Sequence, residues 1–230
     1  MIQNILELKK NDFDIYTKVF DTFNDKRFPC IYGKLSFQKK LMYAGIYNSL
    51  SSEQISNLAD DLRNMSKLLD TQISTDEKKF NTFIAIFNID DSEIFFYDIW
   101  IKIISILHKF DTKDWKNNTT SDLNNPEFKF SFDGKLWYPV LITPNHWNII
   151  RKSKITILSF QPDQTFILNK KIDSIFYQNI RKKIHQKIDK IYNKELPHYL
   201  SKEASGKGIV QFLGYDFEKE DSFIYPSIFN

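Results

Sequence analysis

The chain has 230 residues, of which 42% are hydrophobic and 16% aromatic, with 21 Phe but only 6 Gly and 7 Pro. This composition excludes collagen-like and linker-rich chains and supplies a core built largely from aromatic rings. The net charge of +3 is too small to predict nucleic-acid binding. The densest cationic run, RKKIHQKIDK at 181–190, alternates with Ile at helical spacing, which is typical of the solvated face of an amphipathic helix.

The single cysteine, Cys30, rules out an internal disulfide and therefore permits a reducing compartment. The N-terminal residues carry acids and no apolar stretch, so no signal peptide is predicted. The longest apolar run, at 99–107, contains Lys102 and is shorter than the ~20 residues that a membrane helix needs. We therefore expect a soluble cytoplasmic protein with neither a membrane nor a nucleic-acid partner.

The first half of the chain predicts mostly helices. Apolar residues recur at helical spacing, and serines stand where N-caps are expected, at Ser36 and at Ser51 or Ser52. Asp91 or Ser92 is expected to begin the last of these helices, with Ile94, Tyr97, Ile101, Ile104 and Leu107 facing inward. The predicted elements are helices at 11–24, 37–50 and 53–69, a buried strand at 80–89, and a helix at about 93–110.

The second half predicts mostly strands. A polar loop at 111–127 leads to EFKFSF and KLWYPVLI, which alternate on either side of Asp-Gly, the favoured pair for a tight hairpin turn. Further strands are predicted at 154–160 and 164–168, followed by a helix at about 173–193. This order predicts an α+β fold, in which helices pack on an antiparallel or mixed sheet of about four to five strands, in a single domain over residues 1–230.

Several common catalytic motifs are absent from the sequence. There is no phosphate-binding glycine loop, no C-x-x-C, no H-E-x-x-H and no G-x-S-x-G. A nucleophilic pair of Cys30 with a histidine stays open as an alternative, because sequence separation alone does not exclude it.

Two of the four histidines have ordinary interpretations, and a third is left open. His185 is placed on the cationic face of the last helix. His108 falls at the C-terminal end of the helix at 93–110, where the helix dipole favours a cation. His198 follows the last helix in a loop, and its role is left open.

His146 differs from the other three because TPNHWNII is typical of a helix start, with Thr143 as N-cap and Pro144 as first helical residue. The positive end of the helix dipole would keep the imidazole neutral, as a metal ligand must be. Trp147 and the following isoleucines would supply apolar surroundings, and Arg151 and Lys152 would meet carboxylates. A haem needs all three provisions, although an ordinary surface histidine is the alternative.

Six short motifs, in this order and spacing, resemble the YqcI/YcgG family, whose characterised members are haem-dependent enzymes that N-hydroxylate guanidine groups such as that of arginine. They are FPCIYG at 28–33, DIWIKIISILHKFDTKDW at 98–115, EFKFSFDGKLWYPV at 127–140, TPNHWNIIRKS at 143–153, LSFQP at 158–162 and ELPHYL at 195–200. The chain departs from the family pattern after FQP, where Asp163 and Gln164 replace Arg and an aromatic residue.

The resemblance implies a non-covalently bound haem b. His146 is expected to be the axial iron ligand, with His108 and Cys30 as alternatives. Arg151 is expected to pair with a haem propionate, and Trp147 and Ser153 belong to the same cofactor-binding stretch.

The implied substrate is a small cationic molecule such as arginine, oxidised with an electron donor or peroxide. Glu127, which is expected to open the hairpin strand, and Asp122 in the preceding loop could orient a guanidinium. The alternative function is a non-catalytic haem-binding protein that senses, carries or buffers haem.

Overall fold

The described elements form a six-stranded sheet with helices packed on both of its faces. The structure is a computed structural model and describes residues 2–72, 80–90, 94–117, 119–172, 174–192, 208–214 and 224–229. The strands are β1 (Gln3–Asn4), β2 (Met42–Tyr47), β3 (Thr82–Phe87), β4 (Phe130–Phe132), β5 (Lys135–Ile142) and β6 (Thr156–Pro162). The helices are α1 (Ile5–Asn11), α2 (Phe13–Asn24), α3 (Ile31–Gln38), α4 (Ser52–Thr71), α5 (Phe96–Lys109), α6 (Asp163–Ile172), α7 (Ser174–Ile191) and α8 (Gly208–Leu213).

The strand order is β1-β2-β3-β6-β5-β4, in which only β2 and β3 are parallel neighbours. The predicted hairpin is β4–β5, and its turn residues Asp133 and Gly134 have φ of 52° and 70°, as a tight two-residue turn requires. The predicted α+β class and mixed sheet are thus confirmed, with a slightly larger sheet than expected.

Strand β3 lies at the centre of the core, and all six of its residues are buried. Its side chains alternate between the two faces, as the period of a strand dictates. Phe83 and Phe87 join the larger cluster formed with α4, α5 and α8, whereas Ile84 and Ile86 join a second cluster with α1 and α2. The apolar run at 83–87, within the strand predicted at 80–89, follows from this burial on both faces.

Two sequence predictions of element type are wrong. The helix predicted at 37–50 is replaced by the end of α3 and by β2, with Lys40 at φ 61° between them. The strand predicted at 164–168 lies inside α6, because β6 runs on through Pro162 and the helix begins at Asp163. The apolar part of each segment, LMYAGIY at 41–47 and TFIL at 165–168, is short and nearly continuous, so periodicity does not separate strand from helix.

The predicted inward face of α5 is only partly right. Its buried residues are Phe96, Ile99, Trp100, Ile103, Ile104 and Leu107. Ile94 is exposed, and Tyr97 and Ile101 are half-buried. The helix is rotated relative to the prediction, and Trp100 on its buried face donates its indole N–H to the Pro139 carbonyl of β5 at 2.8 Å. Phe95 is the N-cap, and the predicted caps Asp91 and Ser92 lie outside the described residues.

Gly45 in β2 lies beneath a buried hydrogen bond. Two residues further along the same face, the Tyr47 hydroxyl donates to Asp61 Oδ2 of α4 at 2.9 Å. A Cβ at Gly45 would approach Tyr47 Cζ to 2.9 Å and collide with the hydroxyl itself. The glycine therefore leaves the space through which Tyr47 reaches the carboxylate.

We predict that Gly45→Ala lowers the free energy of unfolding by roughly 2–3 kcal/mol, because the added methyl displaces the Tyr47 ring and breaks its hydrogen bond to Asp61. Chemical denaturation of the wild type, Gly45→Ala, Tyr47→Phe and the double variant measures this cost. The double variant should lose less stability than the sum of the two single variants. Strict additivity would show that the two residues do not interact.

Candidate functional site

A cavity of about 430 Å³ opens on one side of the sheet, within the size range of small-molecule pockets. Its floor is formed by β5 and β6, and its walls by α3, α6, α7 and the loop before α3. A smaller hollow of about 330 Å³ lies between β1 and α4. The carboxylate among its lining residues, Glu7, is already used to cap α1, so the larger cavity is the better candidate.

The floor arises where polar residues interrupt the apolar alternation of two paired strands. On this face Ile142 pairs with Ile157, and both belong to the core beneath α1 and α2. One pair further along, Val140 faces Ser159, and the next pair is Tyr138 with Gln161. The same face of the sheet therefore changes from sealed core to a polar floor within five residues.

The FPCIYG segment forms a wall of the cavity, and Cys30, the third residue of this segment, is among the lining residues. Cys30 is the N-cap of α3, and its Sγ accepts a hydrogen bond from the Gly33 N–H at 3.3 Å. Burial raises the pKa of the Cys30 thiol, and the Gly33 N–H and the charge of Arg151 partly oppose that rise. A Cβ at Gly33 would lie 3.2 Å from the Phe23 ring and 3.6 Å from the sulfur. Glycine at this position thus keeps the surroundings of the thiol uncrowded.

The ionisable groups that line the cavity beside Cys30 are cationic or neutral. They include Arg151, Arg181 and His185. Among the described residues that form the lining, none is an Asp or Glu. The cavity therefore favours ligands that carry negative charge at some point on their surface.

His185 is a cavity residue that the sequence interpretation placed on the solvated face of the last helix. It is half-buried on α7, next to Ile184 and one turn after Arg181. One face of α7 carries Tyr177, Arg181, the adjacent pair Ile184 and His185, and Ile188, because each of these residues lies three or four positions from another member of the set. This periodicity was available in the sequence, but the run of positive charge concealed it.

His146 is fully buried, but outside the cavity lining. Its Nε2 donates to the Leu213 carbonyl at 2.8 Å, and its Nδ1 accepts from the Asn148 N–H at 2.9 Å. The ring stacks on Phe96 with 4.1 Å between ring centroids. Both ring nitrogens are thus engaged, and a metal could bind His146 only if one of these hydrogen bonds broke.

The helix start predicted at Thr143 is not formed. Residues 143–153 form a closed loop, in which Thr143 and Lys152 make a parallel bridge. A single 3₁₀ turn begins at Ile149, because Asn148 accepts the Ile150 N–H and takes the capping role assigned to Thr143. His146 is nevertheless kept neutral, since burial lowers its pKa to about 3, although a helix dipole is not the cause.

The loop at 143–153 holds the C-terminal end of α8. Besides the bond from His146, Asn148 donates to the Gly214 carbonyl at 3.1 Å and Arg151 donates to the Gln211 carbonyl at 2.8 Å. Gly214 has φ of 64°, and a Cβ there would lie 2.8 Å from Arg151 Cγ. Because Gln211 and Arg151 both line the cavity, this clamp fixes part of its wall.

The remaining residues of the predicted cofactor stretch lie outside the cavity lining. Trp147 is 58% exposed and packs against Phe95 with 4.8 Å between centroids. The Ser153 hydroxyl donates to the Ile155 carbonyl within a turn.

His108 packs against Trp115 and Phe229, and burial lowers its pKa, so the helix-end cation expected there is not favoured.

The two predicted substrate carboxylates also lie outside the lining. Asp122 accepts hydrogen bonds from Asn124 within its own loop. Glu127 is exposed and precedes the hairpin, because β4 begins only at Phe130. His198 lies outside the described residues.

The model of the YqcI/YcgG family matches residues 18–222, which is most of the chain. The chain belongs to the YqcI/YcgG family. The match includes the FPCIYG segment, the 143–153 loop and both strands of the cavity floor. No curated protein and no solved structure matches the chain. In the described part of the chain, no helix has both the length and the apolar character needed to cross a membrane.

We predict that His146 makes stability fall with acidity. The folded chain keeps the ring neutral with a pKa of about 3, because of burial, with the Leu213 hydrogen bond opposing and the charges of Arg151 and Lys152 assisting. The unfolded chain binds a proton near pH 6.5, so it holds more protons below that pH. The stability advantage of the wild type over His146→Gln should therefore shrink by about 1.4 kcal/mol per pH unit below about 6.5.

Denaturant unfolding of both proteins between pH 8 and pH 4 measures this difference. Gln is the matched variant because its amide can still donate to the Leu213 carbonyl but does not titrate. Parallel stability curves for the two proteins would contradict the assignment.

Proposed function

We propose that this chain binds haem b non-covalently in the cavity and hydroxylates a guanidine or other nitrogen of a small substrate. The observation that carries the proposal is the cavity itself, in which a thiol, aromatic side chains and two arginines line a common space. The shared family supports the comparison with haem-dependent N-hydroxylases that the motifs suggested.

The side chains present fit a haem. Phe23, Phe28, Phe166 and several aliphatic side chains offer apolar surfaces to a macrocycle, and guanidinium groups suit its carboxylates. Cys30 supplies a sulfur, which is one of the axial ligands that proteins provide to haem iron. A bound haem would supply the activation of oxygen, and the protein has to supply orientation and exclusion of water.

Cys30 is the better candidate ligand than His146, the residue expected from the sequence. Cys30 lines the cavity, and its Sγ accepts weak N–H···S contacts from the backbone of α3. His146 lies outside the lining and would have to give up a hydrogen bond to Leu213 or to Asn148. A buried carbonyl or N–H left without a partner costs about 1–3 kcal/mol, which weighs against the histidine.

The polar floor is the surface best suited to orient the reacting nitrogen. Gln161 is buried, and its Nε2 lies 3.4 Å from Thr82 Oγ1, while Ser159 is half-buried beside it. Their carbonyl and hydroxyl oxygens can accept hydrogen bonds from a substrate N–H. The absence of a carboxylate among the described lining residues favours a nitrogen bound through neutral acceptors rather than through Glu127 or Asp122.

The reaction balances with either oxidant. A substrate N–H loses its hydrogen and gains a hydroxyl, and peroxide in this exchange is reduced to water. With dioxygen, a reductant must supply two electrons and two protons, and the second oxygen atom leaves as water. The role of the protein is to hold the nitrogen close to the site of oxygen activation.

A non-catalytic haem carrier is the second candidate, and the position of His185 favours it. Cys30 and His185 line the same cavity from different walls, α3 and α7. A haem held by both residues would have no open coordination position and would not bind CO. A ferrous protein that takes up CO readily therefore favours the oxygenase.

We predict that the protein produced with a haem precursor has a Soret band of thiolate type, and that Cys30→Ser abolishes it. Serine is the matched variant because its hydroxyl can still cap α3 through the Gly33 N–H, so the fold is preserved. The absorption spectra of the ferric and ferrous–CO forms, recorded for both proteins, measure the change.

His146→Gln separates the two candidate ligands. It should lower stability and leave the position of the Soret band unchanged. A spectrum that is unaltered in Cys30→Ser but altered in His146→Gln would assign the iron to His146 instead.

We predict that haem-loaded protein, supplied with peroxide or a reductant, adds one oxygen atom to a guanidine, and that Gln161→Leu slows this at least tenfold. Leucine removes the amide oxygen with little change in volume. Mass spectrometry of arginine, methylguanidine and simple amines detects the product. Loss of turnover in Glu127→Gln rather than in Gln161→Leu would show that Glu127, and not Gln161, orients the substrate.

A further inference from the structure

Tyr32 carries a buried hydroxyl that the described part of the chain leaves unsatisfied. The residue is 4% exposed and lines the cavity. Its hydroxyl has no hydrogen-bond partner among the described residues. The ring packs against Phe80 and Phe166, with centroid distances of 6.4 and 5.6 Å, so its neighbours there are apolar. Buried hydroxyls in native proteins are normally paired, which makes this one a candidate for contact with a ligand.

Arg181 lines the same cavity as Tyr32, and Tyr177, on which Arg181 packs, borders the apolar cluster that contains Tyr32. It reaches the cavity from α7, and its guanidinium carbon lies 5.9 Å from the centre of the Tyr177 ring. No acidic side chain forms an ion pair with Arg181 among the described residues. The phenol and the guanidinium thus offer donors in one region of the cavity.

We propose that Tyr32 and Arg181 form a carboxylate-binding subsite of the cavity. A guanidinium presents parallel N–H donors that match the two oxygens of a carboxylate, and a phenol adds a further donor. No Asp or Glu among the described lining residues competes for these donors. A cationic ligand group would find no counter-charge there, which excludes it as the occupant.

The carboxylate has two possible sources, a haem propionate or the carboxylate of an amino-acid substrate. The choice of haem and an amino acid as sources of the carboxylate rests on the proposed function. The presence of the Tyr32 and Arg181 donors in the cavity does not depend on it. Two pairs of probes separate the sources. Haemin is compared with its dimethyl ester, and arginine is compared with agmatine, which has the same guanidine but lacks the carboxylate.

The test uses Tyr32→Phe and Arg181→Gln in the full-length protein. Tyr32→Phe removes only the unsatisfied hydroxyl, so thermal unfolding of the ligand-free variant should occur at the wild-type temperature or above it. Each variant should bind one carboxylate-bearing probe about tenfold more weakly and leave affinity for its carboxylate-free partner unchanged. Tyr97→Phe is the control, since Tyr97 lies outside the cavity lining and should affect neither pair. Soret titration measures the haem pair, and calorimetry measures the other.

If the variants lose affinity for haemin but not for its dimethyl ester, the subsite binds a haem propionate. If they lose affinity for arginine but not for agmatine, the subsite binds the carboxylate of the substrate. If the wild type binds no haemin, the proposed function fails, but the arginine and agmatine pair still tests the subsite in the haem-free protein. The subsite is overturned if the wild type does not distinguish the members of either pair, or if both variants bind all probes as the wild type does.

Discussion

The clamp between the 143–153 loop and α8 is the constraint on which the cavity wall depends. A helix leaves its last carbonyl groups without partners, and at the end of α8 they are buried. His146, Asn148 and Arg151 donate to three of these carbonyls, on Leu213, Gly214 and Gln211. Because α8 has only six residues, it would be marginal without such contacts.

This constraint changes the interpretation of the most conspicuous motif in the sequence. A histidine that follows a Thr-Pro pair and precedes an Arg suggested a metal ligand at a helix start. The same residues instead satisfy backbone groups, and burial alone is enough to keep His146 neutral. The fold needs a neutral histidine at this position, and a metal ligand would also have to be neutral. Neutrality therefore does not distinguish a histidine that satisfies backbone groups from one that ligates a metal.

The sequence predicted the elements whose patterns were long or bounded by strong turn signals. Helix α4 was found through Ser51 and its buried stripe, and the β4–β5 hairpin through Asp-Gly. Strand β2 was missed because Met42 and Ala44 favour helices while pairing with β3 decides the outcome. The unsatisfied hydroxyl of Tyr32 was beyond sequence reasoning, because hydrogen-bond satisfaction depends on neighbours that only the fold brings together.

The position of the cavity nevertheless follows from the sequences of two paired strands, β5 and β6. In β6 one face carries Leu158 and Phe160 and remains apolar, while the other passes from Ile157 to Ser159 and Gln161. A continued apolar alternation would have extended the core beneath α1 and α2 along the whole face. The partner strand does not compensate, since Tyr138 stands opposite Gln161. A strand pair that carries Ser159, Gln161 and Tyr138 on one face leaves a surface that helices cannot seal by apolar packing alone. The cavity thus lies where the hydrophobic pattern of the sheet ends, and the cationic and thiol groups of α7 and the FPCIYG segment surround that point.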